Sequence, residues 1–146
     1  MGTEKPEKKS GIKMFLILAG LVLLAVLIYG IMREKDKREA EELRKSEIRT
    51  NIKEYVHLTT NDYKVDPIKG ISNVRISVNN TSDYLMDNIS IQINYFKTSG
   101  ELYKSEELHF SKIAPHSAAT LPAPDSDRGT NVKARIIRIN SDDLDM

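Results

Sequence analysis

Cysteine is absent from the 146 residues, so the chain forms no disulfide, offers no thiolate to zinc and has no thiol nucleophile. The absence leaves the compartment open, because many proteins outside the cytoplasm also do without disulfides. An excess of either charge is missing too: 22 Lys and Arg against 21 Asp and Glu give a net charge of +1. With no basic stripe interleaved with aromatics in the globular part, this balance argues against a nucleic-acid partner.

Catalytic signatures are equally sparse. The three histidines, His57, His109 and His116, stand at no H-x-x-x-H or H-E-x-x-H spacing, so a metal site of that kind is not expected. Serines fall in polar turns without a G-x-S-x-G elbow, and no glycine-rich phosphate loop follows a strand. Glu107 and His109 would share one face of a strand and read as a solvated edge. No catalytic, metal-binding or cofactor-binding residue is expected, and the chain reads as non-enzymatic.

What is present is one uncharged apolar run, Met14 to Met32, between Lys13 and Arg33. As a helix it would be about 28 Å long, close to the hydrocarbon thickness of a bilayer, with its backbone polar groups satisfied internally. Residues 14–32 are therefore expected to cross a membrane once, in contact with lipid, with Tyr29 near the headgroups. A secretory signal would need a shorter core and small residues before a cleavage site, whereas this run ends Leu27-Ile28-Tyr29-Gly30-Ile31-Met32. A core helix this uniformly apolar would need a larger protein around it.

The flanking charges point two ways. Lys5, Lys8, Lys9 and Lys13 precede the run, while Arg33, Lys35, Lys37, Arg38, Arg44 and Lys45 follow it, and a count of cations puts the C-terminal side in the cytoplasm. Acids from Glu34 to Glu47 nearly neutralise that side, whereas residues 1–13 form a basic tail expected to be disordered. Residues 33–50 contain no glycine or proline and should continue the helix as a charged stalk. Glu34 with Arg38, and Glu41 with Lys45, stand four apart with the acid first, the better order for a helical ion pair. Ala40, Leu43 and Ile48 make no sustained heptad, so homo-oligomerisation stays open but unsupported.

From residue 51 the period falls to two. Asn73–Asn79, Asn88–Tyr95 and Val132–Ile139 alternate polar and apolar residues, and further strands are expected at 55–59, 101–104, 106–113 and 117–121. The apolar phase of the last long strand slips at Ile137, which predicts a bulge. Asn79–Asp83, Thr98–Gly100 and Ala114–Ser117 supply the turns. The expected fold is mainly β: an antiparallel immunoglobulin-like sandwich over 51–140, after a single transmembrane helix and helical stalk. Ile76, Val78, Ile89, Ile91, Ile93, Tyr95, Leu108, Phe110, Leu121, Val132 and Ile136 are its expected core. Residues 141–146 are an acidic tail expected to fray.

Gly70–Ser82, GISNVRISVNNTS, followed by Ile91–Leu102, IQINYFKTSGEL, resembles the immunoglobulin-like FxLYD class of bacterial surface domains. In that class a strand ending in asparagine and small polar residues leads to an aromatic strand and an acid-bearing turn with glycine. Ile93, Tyr95 and Phe96 keep the residue types, although Lys97 stands where the pattern has aspartate and Ile93 where it has phenylalanine. Ala114–Ser117 and Leu121–Thr130 are similar to the C-terminal part of uncharacterised membrane-anchored proteins of the Bacteroidetes type. The resemblance implies a domain of the bacterial envelope, outside the cytoplasm and without enzymatic activity.

Asp125-Ser126-Asp127-Arg128-Gly129 opens like a calcium loop. The glycine arrives one position early, however, Arg128 replaces a third carboxylate, and no glutamate closes the loop. Asp125 and Asp127 are expected to accept local backbone amides, with Arg128 paired to one of them. Together with Phe96, which falls on the polar face of its strand, Asp125, Asp127 and Arg128 are the candidate partner contacts. Formal glycosylation triplets at Asn79, Asn80 and Asn88 matter only in a eukaryotic secretory protein. Two functional readings follow. One is a stalked interaction module for an envelope protein or polymer. The other is an accessory subunit of a larger membrane complex, held laterally through Ala19-Gly20 and Gly30 of the membrane helix.

Overall fold

A computed structural model describes residues 9–146, with side chains from Met14 onward. The chain divides into two compact units, the second being Lys45–Met146. The first belongs to helix α1, Lys9–Thr50. No proline interrupts α1, so the apolar run and the charged segment form one continuous helix. Residues from Met14 to Arg44 are all exposed, and the apolar stretch is long enough to cross a membrane. In the charged segment Lys35 pairs with Glu39 at 3.8 Å and Lys37 with Glu34 at 3.9 Å. The helix already includes Lys9–Lys13, part of the tail expected to be disordered; residues 1–8 lie outside those described.

The second unit is built from antiparallel strands. After the last turn of α1 and the one-turn helix α2 (Ile52–Tyr55) come β1 (Val56–Thr60), β2 (Lys64–Asp66), β3 (Gly70–Ser72), β4 (Arg75–Asn80), β5 (Met86–Phe96), β6 (Leu102–Ile113), β7 (Ser117–Pro122) and β8 (Asn131–Asn140). They form a sheet of order β1-β4-β7, a second of order β6-β5-β8, and the β2–β3 hairpin. The expected strands at 101–104 and 106–113 are one strand, because Ser105 stays in the ladder opposite Asn94 and only Tyr103 is skipped in the pairing with β5. The β2–β3 hairpin falls in a stretch where no strand was expected, its strands being three residues each, too short to show a period.

Alternation puts Ile76 and Val78 of the first sheet and Ile89, Ile91, Ile93 and Tyr95 of the second into one core, all fully buried. Burying each large side chain stabilises by about 1.5–3 kcal/mol before conformational entropy is subtracted. Phe110 and Val132 are buried with them, while Leu108, Leu121 and Ile136 pack against the cluster partly exposed. The core also takes Ile48 from the last turn of α1 and Leu144 from the C-terminal segment. That segment is not frayed. Ser141 and Met146 exchange backbone hydrogen bonds, Ser141 Oγ donates to the Leu85 carbonyl at 2.6 Å, and Asp143 accepts the Leu85 N–H at 3.2 Å.

Asn80, read from the sequence as part of a polar turn, ends β4 and is fully buried. Its amide donates to the carbonyls of Tyr84, Ile113 and Ala114 at 2.8, 3.3 and 3.1 Å, and its oxygen accepts from Ser82 N and Oγ at 3.0 and 2.7 Å. This network fastens the end of β4 to the end of β6, as burial of a polar group requires. The expected slip in β8 is there: Ser90 pairs with Arg138 but Ile91 with Ile136, leaving Ile137 as the bulged residue.

Candidate functional site

The candidate contacts lie at the end of the β unit opposite α2, where the β2–β3 hairpin, the β5–β6 turn and the Asp125–Gly129 loop meet. Ile71 exchanges two backbone bonds with Ser126, at 2.7 and 2.9 Å. Gly70 makes this approach possible: with φ at +80°, its added Cβ would stand 2.2 Å from the Ser126 carbonyl oxygen. Asp125 Oδ1 accepts the Asn73 N–H at 3.2 Å, Asp127 Oδ1 accepts the Tyr103 hydroxyl at 2.9 Å, and the Arg128 guanidinium lies 6.0 Å from the Tyr103 ring centroid. The local turn expected from Asp125, Asp127 and Arg128 is thus corrected: these side chains reach other strands and bind the loop to β3–β4 and β6. Tyr95, buried below, donates its hydroxyl to the Pro124 carbonyl. Burial, then the nearby Glu106 and Asp125 charges, push its pKa up to about 12.

Around this loop is a cleft of about 520 Å³, with Val65, Ile68, Lys97, Thr98, Arg128 and Thr130 among its walls. Ile68 is 90% exposed at the hairpin tip, in a turn fixed by Asp66 Oδ1, which accepts the N–H groups of Ile68 and Lys69 at 2.8 and 2.9 Å. Those two bonds, Lys69 first, lower the Asp66 pKa by favouring the carboxylate. The turn thus presents one apolar side chain to solvent beside the cleft. Sequence reading missed it, although Asp66-Pro67-Ile68-Lys69-Gly70 carries the turn residues.

Phe96 meets the end of the loop through its backbone, its carbonyl accepting the Thr130 N–H at 2.8 Å, and its side chain lies on the outer face of the β6-β5-β8 sheet. It is half-buried between Leu102 and Asn131 in the register, with Lys133 Nζ 5.6 Å from its ring centroid. The same face carries Ser90, whose Oγ is 3.0 Å from His109 Nδ1, while His109 Nε2 is 3.9 Å from Glu107. These are the residue types of a hydrolytic triad, but Ser90 is 5% exposed in the middle of a central strand. As β5 is paired on both sides, its backbone N–H groups there go into the ladders with β6 and β8. Among the described residues no group of three or more His, Asp or Glu side chains is placed to hold a metal ion. No family model, curated protein or solved structure matches the chain.

Proposed function

We propose that the chain is a single-pass membrane-anchored interaction module, non-enzymatic, whose β unit is an immunoglobulin-like sandwich of the FxLYD kind lying outside the cytoplasm. It binds an envelope protein or polymer. The observation that carries this reading is the contrast between the two ends of the β unit. At the α2 end, strand ends and turns are closed by buried Asn80 and Leu144; at the other, a rigid loop and hairpin hold Ile68 and an open cleft to solvent. Such a surface binds by shape and charge without covalent chemistry.

Two substitutions separate this reading from that of a laterally anchored accessory subunit. An added Cβ at Gly20 meets nothing within 4 Å, so Gly20→Leu tests helix contacts without disturbing the chain's own packing. Ile68→Asp tests the exposed tip. With co-purification from crosslinked membranes as the readout, loss of the partner in Ile68→Asp alone supports the module. Loss in Gly20→Leu alone supports the subunit and contradicts the module.

A further inference from the structure

The outer face of the β6-β5-β8 sheet carries a row of cations that composition and spacing conceal. Along β8, Lys133 stands opposite Asn94, Arg135 opposite Gln92 and Arg138 opposite Ser90, all three exposed. Paired residues of antiparallel strands share a face, so the three cations line one side of the sheet. Arg138 is there only because of the bulge at Ile137. In an unbroken strand Arg138 would share the phase of Ile136 and point into the core, and Ile139 would point out. Inserting Ile137 returns Ile139 inward opposite Ile89 and brings Arg138 onto the cationic row. Re-aiming one side chain in this way is a known use of bulges.

The groups beside the row are neutral and held in place. Arg135 Nε donates to Gln92 Oε1 at 2.8 Å, Ser105 Oγ donates to Asn94 Oδ1 at 2.8 Å, and the Ser90 hydroxyl is engaged by His109. The β5 positions on this face are Asn88, Ser90, Gln92, Asn94 and Phe96, none acidic. The carboxylate facing this surface from β6 is Glu107, opposite Gln92 and so two strands from Arg135, about 10 Å away. At the end of the row Phe96 offers its ring beside Lys133.

We infer that this face binds a linear anionic polysaccharide running along β8, with its acid groups on Lys133, Arg135 and Arg138, its hydroxyls on the Gln92 and Asn94 amides, and a sugar face against Phe96. The inference goes beyond the module reading: it adds a second binding surface, on the sheet face and apart from the Ile68 cleft. Charge complementarity selects an anion. The regular row, with successive same-face positions about 6.8 Å apart, and the immobilised amides suit a hydroxyl-rich chain with a repeat. Side chains already fixed by hydrogen bonds lose little entropy on binding.

The test is retention of the full chain in detergent on polygalacturonate at low ionic strength, with neutral pullulan, duplex DNA and phosphatidylglycerol vesicles as competing probes. The expected result is retention on polygalacturonate and not on pullulan, falling as salt rises. Removing the row (K133A/R135A/R138A) should weaken retention about tenfold or more, whereas removing three exposed cations elsewhere (K53A/K64A/K69A) should change it less than about twofold. Phe96→Ala should weaken it severalfold with the same salt dependence. Absence of retention, equal loss in the two triple variants, or preference for DNA or vesicles overturns the inference. The module reading falls separately, on the Gly20→Leu and Ile68→Asp outcomes.

Discussion

The Tyr95 hydroxyl donates to the backbone carbonyl of Pro124, joining the end of β5, the central strand of the β6-β5-β8 sheet, to the loop that carries Asp125, Asp127 and Arg128. Tyr95 is fully buried, so Tyr95→Phe keeps the ring and leaves a carbonyl without its donor. It should destabilise the β unit by about 1–3 kcal/mol, read by urea unfolding. The same burial gives stability a pH dependence. The phenol ionises at about 12 in the folded chain against 10.0 ordinarily, so the unfolded state releases its proton first. The contribution is complete below pH 10 and is lost as pH rises from there through 12. Tyr95→Phe should remove that part of the alkaline loss.

Gly70 and Gly100 both have positive φ, +80° and +82°, yet should respond differently to alanine. At Gly100 a Cβ meets open space, and the cost is the left-handed backbone alone, about 1–2 kcal/mol. At Gly70 it would also strike the backbone of Ser126, Asp127 and Arg128. Gly70→Ala should therefore cost more and speed proteolysis within 125–129, where Gly100→Ala should not.

Leu144 is fully buried although it lies in the acidic segment Asp142-Asp143-Leu144-Asp145. Leu144→Ala should destabilise the β unit by about 2–5 kcal/mol. A chain ending at Asn140 should unfold at lower urea concentration, the opposite of what a frayed tail would give.

The sequence makes the long alternating strands legible because one face of each is buried: the phase of Ile89, Ile91, Ile93 and Tyr95 is the phase of the core. It also makes the bulge legible, since Ile136 and Ile137 cannot both face inward in regular pairing. What it does not reveal depends on contacts between distant residues. Leu144 reads as solvated from its acidic neighbours, Asn80 as a turn residue, and Asp125 as a local cap, and each is assigned otherwise by partners that only the fold brings near. The Lys133, Arg135 and Arg138 row is hidden for the same reason: Arg138 is out of phase in the sequence and in phase on the sheet.

The most direct test of the account is the side of the membrane on which the β unit lies. With no native cysteine, one introduced thiol reports alone. Ser126 is unsuitable at 1% exposure, whereas Thr98 is exposed at the β5–β6 turn. Thr98→Cys should react with a membrane-impermeant maleimide in cells whose outer barrier is opened and whose inner membrane is intact, to the extent seen after detergent. Labelling only after detergent would place the β unit in the cytoplasm and contradict an envelope-facing module.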